Sequence, residues 1–198
     1  MPNLSPLRSQ ATPATLIAAM KSTSFGFGIV GTGMIAGVIA DALARTDHAQ
    51  LRAVSSRQIG NARTFTAGRP GVDAVEGLES LLRRDDVSAV YLAIPTVAKE
   101  AAALAAIAAG KHVLVEKPYV DLASLRRMTD AAAARGVLFM DATHFVHHPR
   151  TAALQAAIPE RIGQPRSLHT AFYFPFADRA NIRFDPRQEP MTALGDMA

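Results

Sequence analysis

An α/β fold built on a doubly wound parallel sheet follows from three features of the 198-residue sequence. Short apolar runs alternate with helical stretches of about 10 to 15 residues, the pattern of strands joined by crossover helices. Several of those runs are apolar almost throughout, as strands covered on both faces must be. The first run flows directly into Gly31-Thr32-Gly33-Met34-Ile35-Ala36, the strand-turn-helix signature of a Rossmann dinucleotide site. The divisions expected are an N-terminal extension over 1–24, a Rossmann domain over 25–145 and a further stretch over 146–198.

Bulk composition narrows the classes. The chain is 49% hydrophobic and 19% charged, with no apolar run approaching the ~18 residues of a membrane span. The net charge of +4 could suit nucleic acid, but the arginines are scattered and do not alternate with aromatics, so no nucleic-acid partner is predicted. With no cysteine there are neither disulfides nor thiolate sites, which fits a reducing compartment.

Residues 1–24 carry Pro2, Pro6 and Pro13, then a helix-compatible piece from Ala14 to Lys21. Its apolar centre is short for a signal peptide, so it reads as a cytoplasmic extension. The first strand is expected at Phe25 to Val30. Gly31 then permits the tight turn, Gly33 lets the backbone approach a pyrophosphate, and Ala36 stands for the third glycine. A helix from about Gly33 to Arg45 would place Ile35, Val38, Ile39, Ala42 and Leu43 on one side, its N-terminus favouring an anion. A glycine-rich loop without a ligand is the alternative.

The second strand, Leu51 to Ser55, leads into Ser55-Ser56-Arg57. A free ribose 2'-hydroxyl normally meets an Asp or Glu about 20 residues past the glycines. That acid is missing. Serines with an arginine can instead hold a 2'-phosphate through charge-assisted bonds, which favours NADP(H) while leaving NAD(H) possible; a solvated Arg57 is the alternative. Asn61 to Ala67 and Leu78 to Arg84 read as helices, Ala89 to Ile94 as a buried strand ended by Pro95. An alanine-rich helix over Ala98 to Ala109 stops at Gly110. Lys111 to Val115 is the next strand, Leu122 to Ala134 a helix closed at Gly136, and Val137 to Met140 the last strand of the sheet.

Ligands of such sheets sit outside the carboxyl ends of the strands, where Pro95, Glu116-Lys117-Pro118 and Asp141 to His144 are expected. Lys117 stands between an acid and a proline that restricts the backbone. A positioned ammonium there can donate to a substrate oxygen as a carbonyl and an alcohol interconvert; a solvated loop lysine is the alternative. His144, His147 and His148 lie close together, but without patterned carboxylate or thiolate help they predict no metal site. They are expected to line a substrate pocket or cap the turn between domains.

The glycine turn together with Gly110-Lys111-His112-Val113-Leu114-Val115-Glu116-Lys117-Pro118 resembles the Gfo/Idh/MocA oxidoreductases. Gly163-Gln164-Pro165-Arg166-Ser167 and Ala193-Leu194-Gly195-Asp196 resemble that family's entry into its second domain, so the likeness runs from about residue 25 to the end and implies that 146–198 is the truncated, incomplete start of an α+β substrate and oligomerisation domain. It implies NAD(P)-dependent hydride transfer at a sugar, cyclitol or related polyol. It makes Lys117 the catalytic-site lysine and Asp196 the substrate-site acid. Taken with the residue readings above, the cofactor contacts expected are Gly31, Thr32, Gly33, Met34, Ile35, Ser55, Ser56, Arg57, Pro95, Glu116 and Lys117, and the substrate contacts Lys117, His144, His148 and Asp196. For the complete enzyme it implies a homo-oligomer.

Departures accompany the likeness. The family often has a histidine four residues after Pro95, where this chain has Lys99, and an arginine where it has Val146. The histidine or tyrosine expected about four residues after Asp196 would fall beyond Ala198. A helix is expected near Thr151 to Ile158, and a strand near Ser167 to Phe176 would expose Phe172, Phe174 and Phe176. The rival reading is a non-catalytic dinucleotide-binding module or an inactive fragment.

Overall fold

The computed structural model describes residues 25–171, 178 and 180–190. Six strands form one sheet: β1 (Phe25–Val30), β2 (Ala49–Ser56), β3 (Asp73–Glu76), β4 (Ala89–Leu92), β5 (His112–Val115) and β6 (Phe139–Asp141), in the order β3-β2-β1-β4-β5-β6. Pairing is parallel, as in β1 with β2, β2 with β3 and β5 with β6. The chain makes a Rossmann-like α/β fold. It divides into two compact units, Met1–Tyr91 and Leu92–Ala198.

In the first unit β1 is followed by helix α1 (Met34–Leu43), β2 by α2 (Ile59–Thr66) and β3 by α3 (Gly77–Leu82). Its core is Ile29, Val30, Ala53, Val54 and Leu81, with Ala36 and Ala40 of α1 packed inward. The expected inner face of α1 is therefore rotated: Val38 and Ala42 are exposed, because the tight helix-strand approach admits only alanine at the contact. Two glycines of β1 work in the same way. A Cβ at Gly26 would lie 1.8 Å from the Asp86 carbonyl oxygen, and one at Gly28 would lie 2.9 Å from the Leu81 methyls. Strand β3 was not expected from the sequence. Its four residues include no fully buried side chain, and it is defined by its register on Ala53–Ser56.

In the second unit α4 (Thr96–Ala108) follows β4, α5 (Leu122–Arg135) follows β5, and α6 (Pro149–Arg161) follows a 3-10 turn at His144–His147. Ala103, Ala106, Ile107, Val113, Val115, Met128 and Ala132 are buried. The Asp121 carboxylate caps α5 by accepting from the Ser124 N–H at 2.6 Å, and Gly136 ends that helix at φ 72°. Helix α6 buries none of its residues, and Leu154, Ile158 and Ile162 are exposed. Of the strand expected near 167–176, residues 167–171 are irregular and the rest lie outside the described residues, as does the helix expected over Ala14 to Lys21.

Candidate functional site

In the first unit the glycine turn leaves the carboxyl end of β1. Gly31 adopts φ 108°, a conformation that side chains disfavour, and its N–H donates to the Ser55 carbonyl at 2.9 Å. This bond ties the turn to the end of β2. Thr32 is half-buried, Gly33 caps α1 and Met34 is 82% exposed. A Cβ on Gly33 would meet nothing within 4 Å, so the protein leaves open the face along which a phosphate would approach. Gly33 caps without a side-chain bond, so the first N–H groups of α1 keep their capacity for an anion.

At the end of β2 the serine pair divides. Ser55 is 1% exposed and its hydroxyl donates to the Gly77 carbonyl at 2.8 Å, so it braces the start of α3. Ser56 is half-buried, its Oγ accepting from the Gln58 N–H at 3.5 Å, and Arg57 is exposed. Any phosphate contact at this strand end thus falls to Ser56 and Arg57. A cleft of about 690 Å³ in the same unit lies elsewhere: Ala49–Arg52, Leu43 and Gly68–Val72 line it, at the amino end of β2.

In the second unit β5 leads into Glu116-Lys117-Pro118, with a cis bond between Lys117 and Pro118. The Glu116 N–H donates to the Leu92 carbonyl at 3.2 Å. The Glu116 side chain is buried, and its Oε1 stands 3.5 Å from His144 Nε2. Lys117 is exposed. Pro95 precedes α4, and Thr96 behind it is buried. The Thr96 N–H and hydroxyl donate to the two oxygens of Glu189 at 3.0 and 2.6 Å. Lys99, 3% exposed, donates from Nζ to Thr96 Oγ1, the Lys117 carbonyl and the Pro118 carbonyl at 3.1, 3.0 and 2.9 Å.

Sequence reasoning missed Tyr119. Burial pushes its hydroxyl well above the usual phenol range, and the neighbouring Asp141 and Glu116 carboxylates push it the same way, so it stays protonated as a donor. Asp141 in turn accepts from the Thr143 N–H at 2.8 Å and from the Thr143 hydroxyl. His148 was expected among substrate contacts; its Nδ1 accepts from the Arg150 N–H at 3.1 Å and caps α6. Asp196 lies outside the described residues. Among the described residues no group of three or more His, Asp or Glu could hold a metal ion, and no helix is long and apolar enough to cross a membrane.

Known proteins match this architecture. The family described as "Oxidoreductase family, NAD-binding Rossmann fold" (Gfo/Idh/MocA) matches residues 25–143. A dTDP-3,4-didehydro-2,6-dideoxy-alpha-D-glucose 3-reductase from Actinomadura kijaniata is 38% identical over 137 residues, covering 68% of this chain and 41% of the relative. The NADP(+)-dependent scyllo-inositol 2-dehydrogenase IolU of Bacillus subtilis is 32% identical over 154 residues, covering 77% of this chain and 45% of the relative. A crystal structure of a mutant of KijD10, a 3-ketoreductase from Actinomadura kijaniata, in complex with TDP-benzene and NADP, superposes with TM-score 0.78 at 34% identity. It covers 83% of this chain and 51% of that one. The chain spans about half the length of the curated relatives it matches.

Proposed function

The chain belongs to the Gfo/Idh/MocA oxidoreductase family, and from that premise we propose that it is the cofactor-binding part of an NADP(H)-preferring oxidoreductase acting on a sugar, cyclitol or related polyol. The observation that carries the proposal is the open glycine turn followed, at the end of β2, by Ser56 and Arg57 in place of an acid. The residues present fit the cofactor. Gly31, Thr32 and Gly33 with the N-terminus of α1 at Met34 and Ile35 receive the pyrophosphate, and Arg57 with the Ser56 hydroxyl pairs with the 2'-phosphate. Ser55 contributes by bracing that strand end rather than by touching the ligand. NAD(H), lacking that phosphate, binds more weakly.

Bound NADP(H) supplies or accepts the hydride. The chain's own contribution to the chemistry is Lys117, whose exposed side chain donates a hydrogen bond to the substrate oxygen and stabilises negative charge there. Pro95 and Glu116 would shape the cofactor side, and His144, whose Nε2 stands 3.5 Å from the Glu116 carboxylate, would meet a substrate hydroxyl. From the family likeness Asp196 is the substrate-site acid. From the same likeness the complete enzyme is proposed to be a homo-oligomer, working in the cytoplasm.

The test has two arms. NADPH binding is read by quenching of its fluorescence on titration with the chain, and hydride transfer is read at the nicotinamide absorbance with a panel of nucleotide-linked keto sugars, aldoses and inositols. Saturable NADPH binding is expected, with Lys117→Met abolishing any turnover while leaving that binding in place. A chain that binds neither nicotinamide cofactor would overturn the proposal.

A further inference from the structure

The first turn of α4 holds an ammonium group where the interior should refuse one. Lys99 is 3% exposed, and a cation is costly to take out of water unless its donors are met. An ammonium has three N–H groups, and the three oxygens of Thr96, Lys117 and Pro118 stand at 3.1, 3.0 and 2.9 Å from Nζ. Two of the three are successive main-chain carbonyls, those of the peptide groups before and after Pro118, in the loop that carries Lys117.

The loop is thereby held from two sides. On its strand side the Glu116 N–H is bound to the Leu92 carbonyl, and on its helix side the carbonyls of Lys117 and Pro118 are bound to Lys99. The counter-charge is close at hand. The Thr96 hydroxyl accepts from Lys99 and donates to Glu189, whose other oxygen takes the first N–H of α4. Glu189 is 7% exposed, and the carbonyl of its neighbour Gln188 accepts from the Val97 N–H at 3.3 Å. A buried cation and a buried anion are thus joined through one threonine.

We propose that Lys99 is a positioning residue for Lys117, acting through the Lys117 and Pro118 carbonyls, and that Thr96 couples this clamp to the 185–190 segment through Glu189. The inference rests on the reading of Lys117 as the lysine of the reacting site. An uncharged side chain at position 99 cannot serve three acceptors, so the loop would lose its orientation while the sheet beneath it persisted.

The sequence offers a direct probe, because Pro118-Tyr119 is its one Pro-Tyr pair. Labelling with [13C-carbonyl]proline and [15N]tyrosine gives a single correlation that reports the Pro118 carbonyl. In Lys99→Met this carbonyl resonance should move upfield as the ammonium bond is lost. Amide exchange in the peptide covering 112–121 should accelerate about tenfold, while peptides from α5 and from β1 keep their rates. Thr96→Val supplies the second variant. It leaves Lys99 on both carbonyls but removes the longer bond of the Thr96 hydroxyl to the Pro118 carbonyl at 3.5 Å, so the Pro118 signal should move less than in Lys99→Met while exchange over 180–190 accelerates about tenfold. An unmoved carbonyl signal in Lys99→Met, acceleration spread evenly over the whole second unit, or a Thr96→Val variant that moves the Pro118 signal as far as Lys99→Met does or leaves 180–190 protected would each overturn the proposal. None of these readouts depends on cofactor binding or turnover, so a failure of the functional reading would show separately, in the NADPH titration.

Discussion

The turn after β1 and the loop after β5 are both strand-to-helix connections, yet the protein treats them in opposite ways. Around Gly33 it withholds contacts: no atom lies within 4 Å of where a side chain would begin. Around Lys117 it supplies them, binding two consecutive carbonyls to a buried ammonium. The difference follows from what each must present. A pyrophosphate is recognised by backbone N–H groups and completes their hydrogen bonds itself, so the turn need only be shaped and left clear. A reacting side chain brings its own charge, and its usefulness depends on where its backbone is fixed, so the loop must be finished by the protein.

That contrast can be broken by substitution, the largest effect coming from a glycine that serves packing instead of the ligand. Gly26→Ala would push a methyl group to 1.8 Å from the Asp86 carbonyl oxygen, and a stability loss of about 3 kcal/mol or more is expected, read by denaturant unfolding. Gly33→Val should do the reverse, since its Cβ meets no protein atom. NADPH affinity should fall about a hundredfold or more with the circular dichroism spectrum and melting temperature retained, because the branched side chain fills the phosphate approach. Loss of fold in Gly33→Val, or retained binding, would erase the distinction between the two kinds of glycine.

Arg57→Ala sharpens the same region. Removing one charge-assisted phosphate bond should cost about 1.5 to 3 kcal/mol, or roughly one to two decades in Kd for NADPH, with NADH unaffected. In the second region the smallest effect is expected at Glu100, one position from Lys99 on α4. Its carboxylate takes two bonds from Arg127 of α5, one at 2.9 Å from Nη2, and the Arg127 bonds hold it down to about 2 from its ordinary 4.5. A lowered carboxylate contributes stability that is complete above 4.5 and lost as pH falls through 2. Arg127 is exposed and Glu100 half-buried, so solvent screens the pair and Glu100→Gln should cost less than about 1 kcal/mol at pH 7. The gap between parent and variant should close as the pH is taken below 4.5 towards 2. A gap that persisted undiminished at low pH would mean that the helices are held by something other than this ion pair.

The two regions also differ in how far they could be read from the sequence. The glycine turn was legible because all its parts are local: strand, positive-φ glycine, cap and helix occupy a dozen consecutive residues. The sheet was legible for the same reason wherever an apolar run announced itself. Strand β3 escaped because Asp73–Glu76 has no such run and exists through pairing with β2. Ser55 looked like a ligand contact because its residue type fits, and only the fold turns its hydroxyl to the Gly77 carbonyl. The clamp on Lys117 was beyond sequence reasoning altogether. Lys99 stood out as a departure from a family pattern, but its acceptors lie 18 and 19 positions away, and Thr96 meets Glu189 across 93 positions. No local pattern joins such residues.

The central claim is that the open turn and the strand end beside it were shaped for a phosphorylated dinucleotide. Parallel fluorescence titrations of the unaltered chain with NADPH and NADH in the same buffer test it most directly. The account predicts that NADPH binds about tenfold to a hundredfold more tightly, the margin of one charge-assisted phosphate contact. Equal affinities, or a preference for NADH, would contradict it.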